Sequence, residues 1–215
     1  MAANMKRAII FLNGNLSDLT LVKQYINKHS LLIGCDGGTR HILELGLQPD
    51  VVIGDLDSFR PEEISSDHQP KYVTCPTDKD FTDSEFAIRY AQQAGYRHII
   101  LAGALGDRLD HLLGNIFLLN KDGFANLKLK IIEGNQEAYI VRGQTRINGQ
   151  KGDTISFIPI AGKPQVKTTG GLKYDLNEYT LSLQGNTGIS NILTRKSTEI
   201  TVTKGSILVI HQLSN

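Results

Sequence analysis

Acidic residues recur in short clusters along the first half of this 215-residue chain, each after an apolar run. Asp55 and Asp57 stand in GDLDSF (54–59), directly after Val51, Val52 and Ile53. In an extended segment residues i and i+2 face the same side. The two carboxylates therefore converge and, unpaired, raise each other's pKa. A divalent cation removes that conflict, and hard oxygen ligands suit Mg²⁺. The competing reading is a turn that uses aspartate for local hydrogen bonding. A second cluster, TDKDFTDSE (77–85), adds Asp78, Asp80, Asp83 and Glu85. Thr82 and Glu85 fit the capping box S/T-x-x-E, which predicts a helix starting there. Acids in a first turn also complement the helix dipole. Capping accounts for Thr82 and Glu85 but less well for Asp80 and Asp83. Asp83 is placed to complete a three-carboxylate site with Asp55 and Asp57, and such a site leaves room for water or phosphate oxygens on Mg²⁺.

A metal held this way calls for an anionic partner. Lys79 and Arg108 are the cations of the same loops, and arginine is suited to bidentate phosphate contact. Gly37 and Gly38 follow Asp36 where a strand passes into a helix. They either let backbone N–H groups approach a phosphate or simply make a tight turn. In GALGDRLDHLLGN (103–115), a helix starting near Asp107 puts Arg108, His111 and Asn115 on one polar stripe and the leucines on the other side. His111 is a proton carrier or, more simply, a helix-surface hydrogen-bonding residue. The sequence contains no GxxxxGK[ST] loop and no HExxH zinc motif.

These clusters need elements to position them. Short β-rich runs recur at 7–12, 31–35, 51–54, 71–75, 98–103 and 127–134. Most are separated by helical patterns: Leu16 to His29 with Leu19, Val22 and Ile26 on one face, then Phe86, Tyr90 and Ala94, then a broad apolar face from Leu109 to Leu119. The alternation predicts an α/β domain with a mostly parallel, doubly wound sheet over residues 1–134. Open α/β sheets bind ligands beyond the C-terminal ends of their strands. The loops at 35–40, 54–59, 75–85 and 103–111 are such ends, and all are rich in Gly and Asp. After Gly134 the helical period disappears. EAYIV, DTISFIPI, KTTGGLKY, YTLSLQ and TEITVTKGSILVI predict an all-β sandwich over residues 135–215.

The bulk numbers exclude several classes. A net charge of +1 provides no field for nucleic acid or a membrane surface. The N-terminal apolar run, Ala8 to Leu12, is too short for a signal-peptide core or a membrane span. Cys35 and Cys75 form no CxxC pair and read as small buried hydrophobes in a reducing compartment. The expectation is a cytoplasmic protein that binds neither nucleic acid nor membrane.

Taken together, CDGG, GDLDS, DKDFTDSE, GALGDRLDHLLGN, GLKYDLN (171–177) and GISN (188–191) resemble thiamine pyrophosphokinase of the bacterial type. The resemblance runs over nearly the whole chain with the motifs in order. It implies a catalytic α/β domain and a thiamine-binding β-sandwich, working as a homodimer with the active site at the subunit interface. The implied reaction converts ATP and thiamine to thiamine diphosphate and AMP, with Mg²⁺ as cofactor. Asp55, Asp57 and Asp83 correspond to the metal ligands and, with Arg108, to the catalytic set. Gly37, Gly38, Lys79, Asp80, Thr82, Arg108 and Asp110 correspond to nucleotide contacts. Ser190 and Asn191 correspond to the thiamine-binding turn, and Tyr174 lies in a family motif without an assigned contact. One position departs: Asp107 stands where the family usually has a second glycine before the arginine, and it caps the helix or faces the phosphates. The alternatives are another Mg²⁺-dependent pyrophosphokinase or a nucleotide hydrolase. A non-catalytic sensor is disfavoured because all three carboxylates are present.

Overall fold

The computed structural model describes residues 6–16, 18–54, 59, 61–75, 80–106 and 108–214. The chain divides into two compact units, Met1–Gly134 and Asn135–Asn215.

Among the described residues, the first unit has six strands: β1 (Arg7–Phe11), β2 (Ser30–Cys35), β3 (Val51–Gly54), β4 (Lys71–Thr74), β5 (His98–Ala102) and β6 (Lys128–Glu133). They pair in parallel in the order β6-β5-β1-β2-β3-β4. The strand runs expected from sequence hold to within a residue at each end. Strands covered on both faces read as continuous apolar runs, and β1 and β3 are buried along their whole length. β4 lies at the edge and leaves Lys71 and Tyr72 exposed. The helices are α1 (Thr20–Tyr25), α2 (Thr39–Glu44), α3 (Asp83–Gln93) and α4 (Leu109–Leu118). Helix α1 is much shorter than the 16–29 pattern suggested. Asp18 accepts from Thr20 N–H before it, and Asn27 and Ser30 hydrogen-bond each other's turn after it. Such short polar side chains offer the backbone an alternative to the helix.

Chain order reverses beside β1. β2, β3 and β4 lie to one side of it, β5 and β6 to the other. This is a topological switch point, where the connections leaving neighbouring strands part and open a crevice at the strand ends.

The second unit is antiparallel and all-β: β7 (Gln136–Asn148), β8 (Thr154–Thr168), β9 (Tyr179–Thr180), β10 (Asn191–Ile192) and β11 (Ser197–Gln212). β11 pairs with both β7 and β8, with register breaks between Val202 and Ile207. Bulges of this kind bend a strand. The strands enclose a core that includes Val141, Phe157, Val166, Leu193 and Ile200. This is the sandwich class expected from the alternating runs. KTTGGLKY does not continue as a strand, because Gly170 and Gly171 take φ of 81° and 96°. Its remainder contributes one bridge, Leu172 to Leu193. Among the described residues, no helix is long and apolar enough to cross a membrane.

Candidate active site

The ends of β1, β2 and β5 and the first turns of α3 and α4 line a pocket of about 620 Å³. It lies at the switch point. Close backbone approach builds its floor. Gly14 donates its N–H to the Gly103 carbonyl at 2.9 Å, and a Cβ on Gly14 would stand 2.3 Å from that oxygen. A Cβ on Gly38 would stand 2.2 Å from the Phe11 carbonyl, and one on Gly37 2.1 Å from the Asn13 side-chain oxygen. Packing against the end of β1 therefore accounts for glycine at both 37 and 38. A second hollow of about 480 Å³, lined by Lys6, Lys28, His29 and Asp50, lies at the strand starts and includes none of the acids at the strand ends.

Asp36 directly follows β2 and has a φ of 45°. Asp is one of the few side chains that tolerate this left-handed region. Its carboxylate fills the space a side chain on Gly54 would need: a Cβ there would lie 1.6 Å from Asp36 Oδ1. Gly54 immediately precedes Asp55, so Asp36 stands at the head of the GDLDSF segment, and it also lines the pocket. The sequence reading left Asp36 without a role. It likewise missed Asn13 and Asn15, which line the same pocket. No local signal marks Asp36, whose place depends on the pairing of β2 with β3 that sets Cys35 opposite Ile53.

Asp83 begins α3, as the capping pattern predicts, and lines the pocket with Thr82. Thr82 Oγ1 accepts from Glu85 N–H at 3.3 Å. Glu85, however, does not close the capping box. Its buried carboxylate binds Arg89 and Lys121, each at 2.6 Å. Burial pushes the Glu85 pKa up, but hydrogen bonds from Lys121 and Arg89 outweigh it and hold the group below its ordinary value.

Arg108 lines the pocket beside the start of α4. Its guanidinium is bidentate to Asp110, at 2.6 Å and 3.2 Å. Both side chains are exposed, so solvent screens the pair and it holds Arg108 only weakly. The Arg108 hydrogen bond holds the Asp110 carboxyl below its ordinary value. Helix α4 departs from the sequence expectation in one respect. Only part of the apolar face turns inward: Leu112, Ile116 and Leu118 are partly buried and Leu119 is buried, but Leu109, Leu113 and Phe117 are 67%, 43% and 56% exposed, while Asn115 is buried. Polar partners inside, described below, make that orientation stable.

Thus Thr82, Asp83 and Arg108 meet at one pocket, and Asp36 joins them. Asp80 and Asp110 are exposed, and neither is among the residues that line it. Asp55, Asp57, Lys79 and Asp107 lie outside the described residues. Among the described residues, no group of three or more His, Cys, Asp or Glu is arranged to hold a metal ion. Asp36 and Asp83 nonetheless bring two carboxylates to the pocket, one of them against the backbone leading into Asp55. Carboxylate donors of this kind fit Mg²⁺.

In the second unit, Ser190 is exposed with φ 56° and donates its N–H to Ser156 Oγ at 3.0 Å. Asn191 is buried. Its Oδ1 accepts from Tyr174 N–H and Ile192 N–H, and its Nδ2 donates to the Tyr174 carbonyl at 2.6 Å. Its amide therefore ties the GISN turn to the GLKY segment.

Two family models match the chain: "Thiamin pyrophosphokinase, catalytic domain" over residues 22–131, and "Thiamin pyrophosphokinase, vitamin B1 binding domain" over residues 143–207. A thiamine pyrophosphokinase of Bacillus subtilis is 32% identical over 190 residues, covering 86% of this chain and 89% of the relative. The crystal structure of a Bacillus subtilis thiamine pyrophosphokinase superposes with a TM-score of 0.85 at 30% identity, covering 98% of this chain and 100% of that one. That of a probable thiamine pyrophosphokinase from Staphylococcus saprophyticus gives 0.71 at 33% identity, covering 97% and 100%.

Proposed function

Because the chain belongs to the thiamin pyrophosphokinase family, we propose that it transfers a diphosphoryl group from ATP to the hydroxyl of thiamine. The observation that carries this reading is the convergence of Asp36, Asp83 and Arg108 on one pocket at the switch point of the catalytic unit. The products are thiamine diphosphate and AMP. A bond forms between the thiamine hydroxyl oxygen and the β-phosphorus of ATP. The bond from that phosphorus to the oxygen bridging it to the α-phosphorus breaks, and its electron pair leaves with AMP. The hydroxyl proton passes to a carboxylate of the aspartate cluster.

Asp55, Asp57 and Asp83 would hold Mg²⁺, with Asp36 as a further oxygen donor. When bound, the ion supplies charge neutralisation at the triphosphate. Arg108, released from Asp110, and Lys79 bind phosphate oxygens. Positioning of this kind, rather than covalent chemistry, is what phosphoryl-type transfer asks of a protein. The residue 1–134 unit carries the nucleotide site, and the residue 135–215 unit binds thiamine through Ser190. Asn191 acts there by holding the turn in shape. We place the protein in the cytoplasm as a homodimer in which the Ser190 turn of a second copy completes the site. The exposed apolar stripe of Leu109, Leu113 and Phe117 supports an assembly that covers it.

The test is AMP formation by the purified chain with ATP and Mg²⁺, with and without thiamine. Thiamine-dependent AMP is expected, and Asp57→Asn should remove most of it in a protein that still folds. AMP released without thiamine would favour a hydrolase, and near-normal turnover by Asp57→Asn would refute the metal role.

A further inference from the structure

Four side-chain and backbone groups form a hydrogen-bonded chain along the wall of the pocket, exposed at Thr82 and buried beyond it. Thr82 Oγ1 lies 2.8 Å from Ser84 Oγ, Ser84 donates to Asn115 Oδ1 at 2.8 Å, and Asn115 Nδ2 donates to the Ala104 carbonyl at 2.7 Å. Ser84, Asn115 and Ala104 are 7%, 8% and 2% exposed, so water does not substitute for the two bonds among them. The chain links the turn that carries Asp83 to the loop between β5 and α4, which leads to Arg108.

The sense of the chain is dictated from one end. A carbonyl oxygen only accepts, so Asn115 must turn its NH₂ toward Ala104 and its Oδ1 toward Ser84. Ser84 then spends its proton on Asn115, and Thr82 must donate to Ser84. Thr82 also accepts from Glu85 N–H. What remains of its hydroxyl for the pocket is a lone pair. Such a group accepts from a coordinated water or an N–H. It does not donate to a phosphate oxygen.

We infer that Asn115 is a positioning residue for the transfer reaction: its amide sets the separation between the Asp83 turn and the Arg108 loop, and it makes Thr82 an acceptor toward the pocket. This rests on the reaction proposed above. Asn115 borders the pocket, but both of its side-chain hydrogen bonds go to Ser84 and Ala104, and it acts through them. Removing it leaves the Ala104 carbonyl and the Ser84 hydroxyl buried without their partner and frees two loops that carry opposite charges to the same pocket.

Kinetics of Asn115→Ala, Ser84→Ala and the double variant test this, with thermal unfolding of each. Each single variant should lower kcat for thiamine-dependent AMP formation by about tenfold or more, with KM for thiamine within about twofold. Because both changes open the same chain, the double variant should be no slower than Asn115→Ala alone. Folded single variants with unchanged kcat would overturn the inference, as would losses that multiply in the double variant. Ser84→Ala, which removes one hydroxyl, decides the matter if Asn115→Ala does not fold. An unsubstituted chain without thiamine-dependent AMP would overturn the reaction itself and this role with it, whereas an active chain with fully active variants overturns Asn115 alone.

Discussion

Asp36 holds a backbone conformation that few side chains adopt, and its carboxylate occupies the space left by Gly54. Strain of that kind persists where surrounding structure requires it. Asparagine tolerates the same φ and has the same shape, so Asp36→Asn isolates the charge. Asp36→Asn and Asp83→Asn are each expected to reduce kcat by at least about 100-fold, the scale of losing one charge-stabilising group. Melting temperatures should stay within a few degrees of the parent, so AMP release and thermal unfolding separate the two effects. Asp83 was legible in the sequence because an N-cap and a first turn are local chemistry. Asp36 was not, because its meaning comes from Gly54, eighteen positions away in the chain and adjacent only through the β2–β3 pairing.

Helix α4 shows why periodicity alone misdirects. Its leucine and phenylalanine stripe predicts an inward apolar face, yet the buried position is Asn115. A buried amide is stable only when its hydrogen bonds are met, and Ser84 and Ala104 meet them. No local pattern announces those partners, which come from α3 and the β5–α4 loop. The loops at the switch point are similarly demanding. Gly14→Ala places a methyl group against the Gly103 carbonyl, at a position where the neighbour is backbone and gives way poorly. It is expected to lower stability by roughly 1–3 kcal/mol and to reduce turnover as well, because the β1 and β5 loops part at the pocket floor. Chemical denaturation and AMP release check both outcomes.

The two units carry different kinds of polar core. In the second, Asp153 is buried and gathers bonds from the backbone N–H groups of Ser214 and Gln150, from the Ser214 hydroxyl, and from His211 at 2.8 Å. Burial raises its pKa, but these hydrogen bonds outweigh it and bring the carboxyl to about 2. A carboxyl held below its unfolded value stabilises the fold at pH above about 4 and loses that contribution as pH falls toward 2. Asp153→Asn should therefore cost on the order of 2 kcal/mol at pH 7, with the difference shrinking to little near pH 2. Denaturant melts across that range test it, and a pH-independent deficit would refute the assignment. Read as sequence, Asp153, His211 and Ser214 gave no sign of meeting, since 61 positions separate the outermost pair. By itself the sequence determined the strand runs, the change from helical to alternating period, the acid-rich strand ends and the cap of α3. All of these depend on side chains within a few positions of one another. Only the tertiary structure decided the strand order that puts the crevice beside β1, the placing of Asp36 against Gly54, and the inward turn of Asn115. Those depend on which strands pair and which helix face meets the sheet, and both are settled by burial and hydrogen bonding among segments that are remote in the chain.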